Sequence, residues 1–268
     1  MKIFDSHAHY FDRRFFSEEN PKGVDALLQE DVFGDCVCGV INVATNNENS
    51  IACIEQAAKF DRMYAAVGIH PEDVEYCKMN ISEEINILCD RVDTKEKRQK
   101  NKIVAIGEIG LDYHMEKFDK GLQQKYFDAQ MELAAELDVP VIIHDRDAHC
   151  DCFDTVCRYP SVKGVFHSYS GSAEMAKELV KRGWYISFSG VLTFKNARKA
   201  VEVAEVVPMD RILIETDCPY LAPHPFRGRL NHSGLMKYTA IKLGEIKGID
   251  VEAVADMTFN NAKTLFKM

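Results

Sequence analysis

The sequence predicts an α/β protein of the (β/α)8, or TIM, barrel class, built as a single domain over residues 1–268. Three observations carry this expectation. Eight short apolar segments recur along the chain, each ending in a polar or glycine-bearing step, with helical patterns between most of them. The length of 268 residues is ordinary for one such barrel. Residues capable of chemistry cluster directly after the apolar segments, where a barrel of this class assembles its active site. An open, doubly wound sheet would instead gather ligands at one switch point.

The first segment, Ile3–Asp5, runs into His7-Ala8-His9. On an extended backbone side chains alternate, so His7 and His9 face the same way and form half a metal site. Val37–Val43 is the second segment. The third, Tyr64–Val67, leads to His70, and the fourth, Ile103–Ile106, to Glu108. The charged stretch Asp93–Lys102 reads as solvated surface. Gly121–Leu137 places Leu122, Tyr126, Leu133 and Leu137 on one helical face. Val139–Ile143 precedes His144, and Gly164–Phe166 precedes His167. Ser172 is an N-cap for a helix through Arg182, with Gly183 as its stop. Trp184–Phe188, a helix over Lys195–Val207, the strand Arg211–Ile214 leading to Asp217, and a helix over Val251–Phe266 complete the order.

The net charge of −9 argues against coating nucleic acid by bulk charge, though not against local handling of a phosphate chain. No apolar run approaches the roughly 18 residues of a membrane span, and the N-terminus carries no export pattern. Nine cysteines, none in Cys-x-x-Cys spacing, read as reduced thiols of a cytoplasmic protein.

Four histidines and two carboxylates at one barrel mouth suit two divalent cations. Glu108 is expected to bridge them. His144 and His167 complete one ion, and His7, His9 and Asp217 the other. Such a pair activates water and clamps the attacking and leaving oxygens of a phosphodiester. Asp217 can also serve as general base. Histidine–carboxylate sites accept Mg, Mn, Zn or Co, so the ion is left open.

The motifs that carry this set are Asp5-Ser6-His7-Ala8-His9, Gly68-Ile69-His70-Pro71, Ala105-Ile106-Gly107-Glu108-Ile109-Gly110-Leu111-Asp112-Tyr113, Pro140–Ala148 around His144, His167–Ser172 and Glu215–Pro223. With these motifs the chain resembles the TatD-type metal-dependent deoxyribonucleases of the amidohydrolase superfamily, over nearly its whole length. The resemblance implies a TIM barrel, metal-dependent cleavage of DNA, and His7, His9, Glu108, His144, His167 and Asp217 as ligands. Two departures stand out. Asn231-His232-Ser233 replaces the family's usual Asn-Glu-Pro after the basic loop, and Ser168-Tyr169 stands where Cys-Phe is common.

Around the ligands, His70, Arg227 and Arg229 are candidates for substrate contact, and Arg146 and Asp112 either support the ligands or position substrate. The arginines offer bidentate binding to phosphate. Phe11, Phe15 and Phe16 either stack bases or anchor their loop. DNA is the expected substrate, with no membrane and no obligate protein partner implied. The alternative within hydrolases is a small amide, ester, phosphate ester or aminoacyl ester. A third reading, a scaffold with a decayed site, is opposed by the intact ligand set.

Overall fold

The computed structural model describes residues 1–114 and 116–268. In chain order the elements are β1 (Ile3–Ala8), α1 (Val24–Leu27), β2 (Val37–Val43), α2 (Asn47–Lys59), β3 (Met63–Val67), α3 (Ile81–Val92), α4 (Lys95–Lys100), β4 (Ile103–Asp112), α5 (Lys120–Leu137), β5 (Val141–Arg146), α6 (His149–Arg158), β6 (Gly164–Phe166), α7 (Ala173–Lys181), β7 (Tyr185–Phe188), α8 (Arg198–Val206), β8 (Ile212–Ile214), α9 (Met236–Lys247) and α10 (Val251–Leu265). The eight strands follow chain order in one sheet, the strand order of the expected (β/α)8 barrel. The chain divides into two compact units, residues 1–42 with 167–264 and residues 43–166 with 265–268.

In the first unit, β1 pairs in parallel with β2, and β7 with β8. The exit of β8 is laced to β1: Asp217 N–H donates to His7 O at 2.9 Å and His9 N–H to Cys218 O at 2.8 Å. Every residue of β1 is buried, and Ile3, Phe4, Val40, Ile41, Phe188 and Ile214 supply core. Each such side chain is worth about 1.5–3 kcal/mol on burial. The stop expected at Gly183 is present, with φ +86°. Gly183 N–H bonds Val180 O at 2.9 Å and Trp184 N–H bonds Leu179 O at 3.1 Å, which satisfies the last carbonyls of α7. Ser172 caps the other end by accepting from Met175 N–H at 3.2 Å.

In the second unit, β3, β4, β5 and β6 pair successively in parallel. β4 is longer than expected and reaches Asp112, with a register shift between Ile106 and Ile109. β5 keeps pace, setting Gly110 beside His144 and Asp112 beside Arg146. Glu108, Asp112, His144 and Arg146 therefore lie within the last residues of strands, not after them. Gly110 permits this: its φ is +143°, and a Cβ there would lie 2.0 Å from His144 O. Two buried glutamines of α5 brace the same end. Gln123 exchanges hydrogen bonds with the backbone N–H and C=O of Asp112, both at 3.0 Å. Gln130 does the same for Ile69, at 2.7 and 3.1 Å. The charged stretch before β4 is solvated as expected, but it is helical: α4 is capped by Thr94 and buries no residue.

Candidate metal centre

In the first unit, the end of β1, the residue after β6 and the turn after β8 bring His7, His9, His167, Glu215 and Asp217 together. His7 Nε2 and His9 Nε2 are 3.0 Å apart. Asp217 Oδ1 lies 3.3 Å from His9 Nε2 and 3.7 Å from His7 Nε2. Donors about 2.1 Å from a tetrahedral cation stand roughly 3.4 Å from one another, so the three atoms fit one divalent ion. The alternation expected for His-x-His thus delivers both rings to one point. Asp217 takes φ +56°, a left-handed conformation open to aspartate, which turns its carboxylate back toward β1. Burial works to raise the Asp217 pKa. The hydrogen bond to His9 and the charges of His167, His7 and His9 outweigh it and hold the carboxyl below its ordinary range.

His167 stacks on His7, with ring centroids 4.0 Å apart and planes 11° from parallel. Its Nδ1 lies 3.2 Å from Glu215 Oε1, which also accepts from Ser168 N–H at 2.7 Å. A proton on Nδ1 directed at Glu215 leaves Nε2 of His167 as a metal donor, the usual way a carboxylate orients a ligating imidazole. Glu215 is 1% exposed, and its Oε2 has no hydrogen-bond partner among the described residues. An ionised oxygen so placed is costly without a cation nearby. Spacing alone assigns Glu215 no role; the signal for it in the sequence is a carboxylate directly after an apolar strand, two residues before Asp217.

Asp5 was also unassigned. Its Oδ1 accepts from the N–H of Thr216 at 3.0 Å and of His7 at 3.2 Å. Its Oδ2 accepts from the hydroxyls of Thr216 and Ser233, both at 2.6 Å. Burial pushes this carboxyl up to about 7 against those hydrogen bonds. Asp5 thereby ties the His7 backbone to the chain around residues 216 and 233. The departure from Asn-Glu-Pro takes a structural meaning here. Ser233 N–H donates to the Tyr10 hydroxyl at 2.9 Å, a bond that proline cannot make.

In the second unit, His144 Nδ1 lies 2.7 Å from Glu108 Oε1, and His144 Nε2 lies 2.8 Å from Asp112 Oδ2. His70 Nε2 is 3.4 Å from the same Glu108 oxygen. His70, Glu108 and His144 offer ligand atoms close enough for one ion. Asp112 is fully buried and faces His144, a position from which a carboxylate can orient that ring. Its own burial raises its pKa, but the hydrogen bond and charge of His144 prevail and lower it. His70 Nδ1 accepts from Glu72 N–H at 3.1 Å, which puts the ring proton on Nε2. In that tautomer His70 is a hydrogen-bond donor, which leaves Glu108 and His144 to supply the ligand atoms of this cluster.

The remaining candidates are surface groups. Arg146 ends β5 and is exposed. Arg227 and Arg229 are exposed on the loop after β8, with the Arg227 guanidinium 4.5 Å from the Phe194 ring centroid. Phe15 is fully buried and stacks on Tyr10 at 4.9 Å, so it anchors the loop. Phe16, in contrast, is 63% exposed.

The family model described as TatD related DNase matches residues 4–267 of the chain. The chain is 39% identical over 272 residues to a Bacillus subtilis protein named uncharacterized metal-dependent hydrolase YabD, covering 99% of both. It is 34% identical over 269 residues to the Escherichia coli uncharacterized metal-dependent hydrolase YcfH, covering 99% of this chain and 96% of the other. Among solved structures it is similar to the Escherichia coli TatD homologue YJJV. That likeness has a TM-score of 0.88 and 29% identity, and covers 99% of this chain and 98% of the other.

Proposed function

The chain belongs to the TatD related DNase family and is a metal-dependent hydrolase, and from that premise we propose that residues 1–268 act as one domain that hydrolyses phosphodiester bonds of DNA. The observation that carries this reading is the donor triad His7 Nε2, His9 Nε2 and Asp217 Oδ1, spaced 3.0–3.7 Å apart. We propose one divalent cation on that triad with His167, whose stacking on His7 moves it there from the His144 ion expected from sequence, and a second on Glu108 and His144, both drawn from Mg, Mn, Zn or Co. Bound cations would supply Lewis acidity and an acidified water.

The chain's own residues do the rest. Asp217, held ionised, accepts the proton of the attacking water through its carboxylate. Glu215 and Asp112 hold the His167 and His144 rings. His70 presents its Nε2 proton to a phosphate oxygen, and Arg146, Arg227 and Arg229 contact the phosphate chain. The buried Cys53, Cys152 and Cys218 are free thiols, and no described helix is long and apolar enough to cross a membrane. Both fit the cytoplasmic location proposed for the protein.

The test is hydrolysis of single-stranded, blunt and nicked DNA by purified protein across a series of Mg, Mn, Zn and Co, with metal content measured by elemental analysis. Cleavage that is lost on chelation and restored by metal is the expected result. Activity confined to small amides, esters or aminoacyl esters would overturn the nuclease reading while leaving the hydrolase standing.

A further inference from the structure

We infer that Tyr220 is a preset stacking shelf for an unpaired nucleobase beside the hydrolysed phosphodiester. The inference rests on the phosphodiesterase reading above.

Tyr220 stands three residues beyond Asp217, and its N–H donates to Asp217 O at 3.0 Å. The ring is therefore tied through one tight turn to a proposed cation ligand. Its hydroxyl donates to Asp12 Oδ2 at 2.8 Å, and its carbonyl accepts from Asn231 Nδ2 at 2.7 Å. The Arg14 guanidinium sits 5.7 Å from the ring centroid. Arg14 is itself held, donating to Pro219 O at 3.3 Å and to both Glu19 oxygens at 3.0 and 2.6 Å. Asp12 Oδ1 in turn accepts from Arg14 N–H at 2.8 Å.

Backbone, hydroxyl and one ring face are thus all engaged, yet the residue remains 46% exposed. An exposed tyrosine ordinarily keeps its rotamer freedom, and holding it still costs entropy. A ring fixed in advance loses little more when a flat partner lands on it. A nucleobase is such a partner, and stacking tolerates any of the four. A base inside a duplex is already stacked on both faces and cannot use the shelf, whereas an unpaired base can.

The test uses the full-length metal-loaded protein and two short phosphorothioate oligomers that resist cleavage: oligothymidylate and the same backbone made wholly abasic. Binding is read by fluorescence anisotropy. Wild-type protein should prefer oligothymidylate. Tyr220→Ala should weaken it between about five- and a hundredfold, leaving the abasic oligomer unchanged. Tyr220→Phe removes the Asp12 bond but keeps the ring, so it should retain most of the preference. On cleavable single strands, Tyr220→Ala should raise KM more than it lowers kcat. Equal binding of both oligomers by wild type, or equal weakening of both by Tyr220→Ala, overturns the shelf even if DNA is cleaved. A base preference that vanishes in Tyr220→Ala upholds the shelf even if no phosphodiester is cleaved, in which case the nuclease reading alone fails.

Discussion

Oε1 of Glu215 lies 3.2 Å from Nδ1 of His167, while its second oxygen is buried without a hydrogen-bond partner among the described residues. In the proposed site the pair is a ligand with its orienting carboxylate, and its loss should be felt in metal affinity before stability. Glu215→Gln keeps the shape and removes the charge. Affinity for Zn or Co, read by calorimetric titration, should fall about 10- to 100-fold. An unchanged affinity would remove Glu215 from the site.

Asp217→Ala deletes both a donor atom and the proposed base. Turnover should fall by at least ~10²–10⁴-fold, the range for losing a general base alone. Asp217 is 18% exposed and packs no core, so the melting temperature of the metal-free protein should shift by only a few degrees, on the order of 1 kcal/mol. Glu108→Ala should likewise abolish turnover. Near-normal kcat in either variant would show that the ligand assignment is wrong.

Gly110→Ala tests the close approach of β4 and β5. The added methyl meets His144 O at 2.0 Å and sits on a backbone with φ +143°. Strain and overpacking together should cost roughly 3 kcal/mol or more in chemical denaturation. Because the displaced carbonyl belongs to His144, cation binding at that histidine should weaken as well. A variant as stable as wild type would mean the strands can part without penalty.

His232 sets a pH dependence away from the ligands. Burial lowers its pKa below the usual value of 6.5. Asp31 opposes the shift, and Lys22 and Lys237 add to it. The unfolded chain therefore takes up this proton first as pH falls. Stability should decline from about pH 6.5 downward through the depressed folded value, by at most ~1.4 kcal/mol per pH unit. His232→Gln should flatten the dependence of melting temperature on pH in that window. The same slope in both proteins would rule the residue out.

Much of this was legible in sequence because two periodicities are legible. Alternation alone brings His7 and His9 to one point, and the apolar segments locate all eight strands. The length of β4 was not legible: Ile106-Gly107-Glu108-Ile109-Gly110 looks like the end of a strand, and only the partner strand shows that pairing resumes at Ile109. The charged segment before β4 has no apolar face, so nothing in its pattern distinguishes a capped surface helix from a loop. Asp5, Glu215 and Gln123 escaped for another reason. Each acts on a residue distant in the chain or on the backbone, as Gln123 does on Asp112, and single-sequence spacing records neither relation. Phe15 and Phe16 are identical neighbours, and only the fold separates the buried one from the exposed one.

The bonds from Asp5 to Thr216 and Ser233 span 211 and 228 residues of chain. During synthesis the first strand therefore leaves the ribosome long before anything exists to fasten it. A nascent chain halted ahead of Thr216 lacks Asp217 and both hydroxyls that fix Asp5, whatever else has folded. The first-unit donor cluster is accordingly a late product of translation, completed only once the chain has been made through Ser233. Ion capture there would report that the first strand has met the chain around Thr216 and Ser233.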